Sequence, residues 1–353
     1  MNSNKQDILF MQRCIYLAKK GRGYVAPNPM VGAVIVYNNK IIGEGYHRKY
    51  GEAHAEVNAI NSVKNKDLLK DSTIYVSLEP CSHFGKTPPC SDLIIHHKIP
   101  NVVIGMRDPF SKVNGLGISK LKNAGCNVSV GILENECLKL NKEFITFHSK
   151  KRPYIILKWA QTLDGLIDKE RNNIKTPEIN WITDESCKSI VHKWRAEISA
   201  IMIGTKTAEI DNPKLNIREW AGNNPLRIII DKNLKLSHNL HIFDKSQPTI
   251  ILNNIKNEEY NNIEYYKINF NENFISTLMD FLFKRNINSL FVEGGEKLLT
   301  SFIEKNMWDE ARIFTGNITF KKGVSAPKIS GTLIHNENIN SNNLSIIQNT
   351  SFL

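Results

Sequence analysis

A chain of 353 residues, 41% of them hydrophobic, is long enough to bury two cores of ordinary size. It has no run of eighteen apolar residues, so no spanning helix is expected, and six cysteines over this length do not make a disulfide framework. The net charge of +11 invites a nucleic-acid reading, but the lysines are scattered among asparagines and isoleucines and nowhere interleave with aromatics on one face. The charge is therefore read as a field that attracts small anions, phosphorylated substrates and NADP among them, with no nucleic-acid or membrane partner expected.

The N-terminal stretch Met1-Asn2-Ser3-Asn4-Lys5-Gln6-Asp7 is polar with no apolar signal region behind it, so a cytoplasmic location is the default expectation. From Asp7 to Lys20, the apolar positions Ile8, Met11, Ile15 and Leu17 predict an amphipathic helix. Pro27-Asn28-Pro29 breaks the chain. Val31–Tyr37 and Lys40–Gly45, joined by Asn38-Asn39, predict a hairpin. A helix carrying His54, Glu56, Val57 and Ile60 follows, then a buried strand over Thr73–Leu78 and a helix from Cys90 through Ile95. Val102–Gly105 reads as a strand, Ile118–Ala124 as a helix and Val128–Val130 as the last strand of the first half.

Lys150-Lys151-Arg152-Pro153 is the best boundary in the chain, and two domains are expected at 1–148 and 149–353. Beyond it, strands are predicted at Tyr154–Lys158, Ala200–Gly204, Leu226–Asp231, Thr249–Leu252 and Ser289–Glu293. Helices are predicted between Trp181 and Arg195, capped at Thr183 or Asp184, and at Phe274–Lys284, with another after Gly294-Gly295. The tail from about Ile329 has no readable pattern. Alternating strands and helices imply an α/β layer fold whose sheets are mainly parallel beyond the first hairpin.

The chemistry concentrates in His54-Ala55-Glu56 and in Glu79-Pro80-Cys81 through Cys90. One imidazole and two thiolates suit a catalytic zinc, which takes three protein ligands and keeps a fourth position for water. Glu56, two residues past the histidine, can handle protons without binding the metal. A His-x-Glu followed by Pro-Cys and a second Cys is the signature of zinc-dependent nucleobase deaminases. The bland alternatives are buried thiols, and a closed structural zinc with His83 as fourth ligand. His54 opens one predicted helix, and Cys81 and Cys90 flank the start of another. Positive helix ends there favour thiolate and hydroxide. In the second half no G-x-G-x-x-G occurs, so a Rossmann site has no support. Glu293-Gly294-Gly295-Glu296 could admit a phosphate at a helix start or be a plain turn. Arg195 and Arg218 could clamp a phosphate or be surface charges.

Together these motifs resemble the bifunctional riboflavin-biosynthesis deaminase–reductases over nearly the whole chain. Pro27-Asn28-Pro29-Met30-Val31-Gly32-Ala33-Val34, His54-Ala55-Glu56-Val57 and Glu79 through Cys90 match the deaminase half, as do Asp108-Pro109, Val113-Asn114-Gly115 and Gly117-Ile118. The eight residues between the cysteines, against two in tRNA-type deaminases, resemble this family. Lys158-Trp159-Ala160-Gln161-Thr162-Leu163-Asp164-Gly165, Trp181-Ile182-Thr183, Asp211-Asn212-Pro213 and Glu293-Gly294-Gly295 resemble the reductase half.

The resemblance implies a cytidine-deaminase-like three-layer domain followed by a dihydrofolate-reductase-like α/β domain. It implies Zn²⁺ on His54, Cys81 and Cys90, with Glu56 catalytic and Asn28 at the substrate. For the second half it implies NADPH contacts from Ala160, Trp181, Thr207, Asp211 and Gly295-Glu296-Lys297-Leu298-Leu299-Thr300-Ser301. Arg195, Leu215, Arg218 and Glu293 would meet the ribose-phosphate substrate, and a homo-oligomer is expected. The chain departs from the family pattern at Ile179, Asn216, Lys232 and Phe110-Ser111. The rival readings are a tRNA-type zinc deaminase with an accessory domain and a zinc-stapled binding protein.

Overall fold

The computed structural model describes residues 2–82, 88–109, 114–171 and 179–350. The chain forms two compact units, Met1–Lys151 and Arg152–Leu353.

The first unit begins with α1 (Asn2–Ala18), then the hairpin of β1 (Gly32–Tyr37) and β2 (Lys40–Tyr46). Asn38 and Asn39 both take left-handed φ angles at the hairpin turn, as a tight two-residue connection requires. There follow α2 (Ala55–Ser62), β3 (Thr73–Leu78), α3 (Cys90–His96), β4 (Asn101–Met106), α4 (Leu116–Asn123), β5 (Asn127–Val130), α5 (Glu134–Leu140) and α6 (Lys142–Lys150). The sheet order is β2-β1-β3-β4-β5. β1 runs antiparallel to both β2 and β3, and β3, β4 and β5 are parallel.

Alternation along β1 divides the core. Ala33 and Ile35 pack with Ala55, Ala59 and Ile60 of α2 and Ile94 of α3, while Val34 and Val36 pack with Met11, Cys14 and Ile15 of α1 and Cys137 of α5. Three layers result. A Cβ on Gly45 of β2 would lie 2.3 Å from the Ala59 nitrogen and 2.5 Å from the Ala55 oxygen, so only glycine lets α2 sit this close to the sheet. The Glu134–Leu140 and Lys142–Lys150 helices add to the elements read from the pattern, which ended at β5.

The second unit runs β6 (Tyr154–Thr162), β7 (Leu166–Lys169), α7 (Glu185–Glu197), β8 (Ala200–Ile203), α8 (Thr205–Asp211), β9 (Leu226–Ile230), β10 (Thr249–Asn253), β11 (Glu258–Tyr260) and β12 (Ile263–Lys267). It continues through α9 (Phe274–Lys284), β13 (Ser289–Glu293), α10 (Glu296–Glu304), β14 (Glu310–Gly316), β15 (Gly323–Ser325), β16 (Thr332–Ile339) and β17 (Asn342–Gln348). Ten strands form one sheet in the order β11-β12-β10-β9-β8-β13-β6-β14-β17-β16, and β7 pairs with β15 apart from it. The strands from β12 to β14 in that order are parallel, and the margins are antiparallel. Ile155, Leu157 and Trp159 of β6 join the core under α9 and α10, and Tyr154 and Ile156 join the opposite core with Cys187, Val191 and Trp194 of α7. The tail that carried no readable pattern is the antiparallel pair β16–β17.

Candidate metal centre and second site

In the first unit, the parallel strand β3 ends at Leu78 and delivers Glu79, Pro80 and Cys81 to its carboxyl end, while α2 and α3 begin beside it. His54 is the residue at the start of α2, in extended backbone, and Cys90 opens α3. His54 Nδ1 lies 3.6 Å from Cys81 Sγ and 3.3 Å from Cys90 Sγ, and all three ligand atoms fall within 4.8 Å of one another. Zinc bonds of about 2.0–2.3 Å in a tetrahedron imply N···S edges of roughly 3.5 Å, so this donor set fits the ion. Among the described residues this is the one such group of three. His83, the alternative fourth ligand, lies outside the described residues.

The electrostatics suit the same use. Glu56 is buried, and burial pushes its carboxyl up to about 7 against the opposing pull of His54. Its carboxyl is within hydrogen-bonding reach of Cys90. Hydrogen bonding from Cys90, with His54 adding to it, draws the Cys81 thiol well below its ordinary range, and the Cys90 backbone N–H donates to Cys81 Sγ at 3.3 Å.

Two further residues support this centre: His47, which no motif marked, and Glu79, which opens the cysteine motif without a role assigned to it. His47 is buried and packs edge-on against the His54 ring, 5.4 Å between centroids. Its Nδ1 lies 3.1 Å from the Ala53 oxygen and its Nε2 3.1 Å from Asn28 Nδ2, which sets Asn28 one residue away from the ligands. Glu79 accepts from the backbone N–H groups of Asp108, Gly115, Gly117 and Ile118, at 3.0–3.3 Å, and so caps α4 from another strand. A Cβ on Gly117 would lie 2.1 Å from the Pro80 oxygen, which keeps α4 against the cysteine-bearing segment. Nothing in residue spacing shows which backbone a buried carboxylate will meet.

The second unit brings most of the remaining candidates together around the carboxyl ends of β6, β8 and β13. The glycine pair Gly294-Gly295 takes left-handed φ angles of 96° and 78°, and an added Cβ at either would meet Thr207. The turn before α10 thus sits against the first turn of α8. Arg195 of α7 and Glu293 of β13, both candidates for substrate, form a two-pronged ion pair with each other at 2.8 and 2.7 Å. Lys158 of β6, which no motif marked as a site residue, stands 3.9 Å from Glu293, and burial lowers its pKa. Burial alone would raise the Glu293 carboxyl, but Arg195 and Lys158 outweigh it and hold it at about 2. Asp211, at the end of α8, is pushed up to about 6 by burial and then by Asp168.

Other candidates sit differently. Trp181 is exposed beneath the Lys188 ammonium, 4.2 Å from its ring centre. Leu298 and Leu299 are buried in the core, so their side chains face away from solvent, whereas Lys297 is exposed and Glu296 accepts from the Thr300 hydroxyl. Ala160 is half-buried on β6, opposite Phe314. Leu215 is buried in left-handed backbone, and the exposed Arg218 donates to the Asn216 side chain at 2.6 Å. Ile179 is exposed, Lys232 lies over the Phe270 ring, and Phe110-Ser111 falls outside the described residues.

Comparison with known proteins agrees with both halves. Residues 4–106 match the cytidine and deoxycytidylate deaminase zinc-binding region, and residues 153–331 match the RibD C-terminal domain. The riboflavin biosynthesis protein RibD of Aquifex aeolicus is 38% identical over 333 residues, covering 92% of this chain and 88% of that protein. That of Actinobacillus pleuropneumoniae is 38% identical over 85% of this chain and 81% of its own length. Among solved structures, a diaminohydroxyphosphoribosylaminopyrimidine deaminase/5-amino-6-(5-phosphoribosylamino)uracil reductase from Thermotoga maritima superposes with a TM-score of 0.89 at 38% identity, over 98% of this chain and 99% of that one. Acinetobacter baumannii RibD gives 0.88 at 29% identity, over 98% and 99%. The chain belongs to the RibD family of bifunctional riboflavin-biosynthesis enzymes, a zinc-binding deaminase followed by an NADPH-using reductase.

Proposed function

We propose that this chain deaminates 2,5-diamino-6-ribosylamino-4-pyrimidinone 5'-phosphate and then reduces the ribosyl group of the product to ribityl, with deamination in residues 1–148 and reduction in 149–353. The observation that carries the reading is the cluster of His54, Cys81 and Cys90 beside a buried carboxyl, Glu56. Zinc, when held by those three residues, supplies a Lewis acid that makes water nucleophilic near neutral pH. Glu56 moves the protons. It takes one from the attacking water and gives it to the ring nitrogen, then takes the second from the added hydroxyl as the carbonyl forms and gives it to the 2-amino group, which leaves as ammonia. Asn28, fixed by His47, orients the pyrimidine.

In the second half, NADPH, when bound, would supply the hydride for reduction of the ribosyl group at its anomeric carbon. Ala160, Trp181, Thr207, Asp211 and residues 295–301 contact the cofactor. Arg195, Leu215, Arg218 and Glu293 contact the ribose phosphate, with Arg195 and Glu293 held to each other by their ion pair. Asp211, protonated below about 6, is the proton source. The enzyme acts in the cytoplasm, and no helix among the described residues is long and apolar enough to cross a membrane. It works as a homo-oligomer, for which the exposed edge strand β16, with Leu333 and Ile334 in solvent, offers a pairing surface. Light scattering of the purified chain measures that state, and a monomer would contradict it.

Glu56→Gln tests the central claim. Ammonia release falls by at least about a hundredfold. NADPH consumption on pre-deaminated substrate stays within twofold of the parent enzyme. Equal loss of both activities contradicts separate sites.

A further inference from the structure

The segment Lys214-Leu215-Asn216 is bonded in an unusual way: each of its three successive carbonyls is taken by a side chain from a different part of the second unit. Arg227 Nε donates to the Lys214 oxygen at 3.0 Å, Gln247 Nε2 to the Leu215 oxygen at 3.4 Å, and Arg195 Nη1 to the Asn216 oxygen at 3.2 Å. On either side, Asn212 Oδ1 accepts from the His241 N–H at 2.7 Å, and the Arg218 N–H donates to His192 Nδ1 at 3.0 Å. The backbone held this way is strained. Leu215, wholly buried, has a φ of +53°, a region a branched residue occupies only where its surroundings over-determine it.

The residues doing the holding are themselves buried. Arg227 lies on β9 with no exposed surface, in line with Ile228 and Ile229, and the rest of its guanidinium bonds to the His241 oxygen, Asp244 and Ser246. Asp244 and Ser246 reach solvent, so the buried guanidinium is paired from the surface inward. Gln247 is also buried. Its amide nitrogen bonds Leu215 and, at 3.1 Å, the Pro225 oxygen, while its own Oε1 has no partner among the described residues. An unpartnered buried oxygen is a net cost. A wholly buried guanidinium and a buried amide converge on one short strained segment.

We infer that Gln247 and Arg227 are positioning residues for reduction: by holding the Leu215 and Lys214 carbonyls they fix the left-handed turn that sets Leu215 and Arg218 toward the ribose phosphate. The inference rests on the proposed assignment of Leu215 and Arg218 to the substrate. It adds two residues, neither of which touches substrate or cofactor, and gives the strained turn a function.

Gln247→Met is the decisive variant, because it keeps the side chain's length, removes both bonds and removes the unpartnered oxygen. A merely structural role predicts a lower melting temperature with the kinetics of the surviving enzyme unchanged. A positioning role predicts, whatever the change in melting temperature, a KM for 5-amino-6-(5-phosphoribosylamino)uracil raised about tenfold, kcat within twofold, and unaltered NADPH affinity by fluorescence quenching. Arg227→Met, assayed in the same full-length chain, raises the same KM further if it folds; if it does not, Gln247→Met alone decides. An unchanged KM overturns the inference, and so does a KM that rises together with weakened NADPH binding. Arg218→Ala separates the two levels. If it raises the KM and Gln247→Met does not, the positioning role alone fails; if it leaves the KM unchanged, the substrate assignment fails and the inference with it.

Discussion

Asp211 shows how much of a residue's chemistry is decided by its neighbours. In water an aspartate is ionised at pH 7. At the end of α8, burial and the nearby charge of Asp168 raise it to about 6, although Arg171 and Lys158 pull the other way. In the proposed role of proton source for reduction it must be protonated to act, which predicts that kcat/KM for the reductase step falls as pH rises through about 6. Asp211→Asn abolishes that limb and lowers the rate by roughly a hundredfold or more. A reductase profile flat from pH 5 to 8 in the parent enzyme would assign the proton elsewhere. The zinc ligands, by contrast, are legible in the amino-acid sequence itself, because thiolate and imidazole are scarce donors whose spacing alone narrows the chemistry. The parts played by Lys158, Glu79 and Gln247 are not. Each is an ordinary polar residue in the chain, and its part depends on which backbone or charge lies against it after folding.

Elements are legible in proportion to how unevenly they are buried. α9 and β13 have the predicted bounds because one face or both are packed in the core, and burial is what hydrophobic periodicity reports. β16 is the opposite case. Thr332 to Asn338 are all exposed at the margin of the ten-stranded sheet, so nothing in their alternation could mark a strand. α8 has a single buried side chain, Ala208, and leaves as little trace. The element that most directly sets the metal centre is α2, and its seat is Gly45. Gly45→Ala places a methyl group against the backbone of Ala55 and Ala59, which cannot yield without lifting the helix that begins at His54. The expected cost is about 1–3 kcal/mol of stability in the first unit. Zinc content by atomic absorption falls, and ammonia release falls with it, while NADPH consumption on deaminated substrate is kept. Full zinc occupancy in the variant would show that α2 is not what holds His54 in register.

At the scale of the whole molecule, the charge of +11 serves both halves at once. It has no basic, aromatic-laced stripe for a nucleic acid, and the deaminase signature that tRNA-editing enzymes share is here followed by a second unit matching the RibD C-terminal domain. What the charge does supply is a long-range attraction for a substrate that carries a phosphate from the first reaction into the second. Such steering acts on encounter, not on the bound complex. Raising the ionic strength from 0.05 to 0.5 M shrinks the screening length from roughly 14 Å to roughly 4 Å. The expected result is a fall of about fivefold in kcat/KM for ammonia release and for NADPH consumption, with each kcat within twofold. A dephosphorylated substrate analogue should lose most of that salt dependence. A kcat/KM indifferent to salt in both assays would mean that the positive charge is compositional and that capture of the phosphate is left to the local groups of each site.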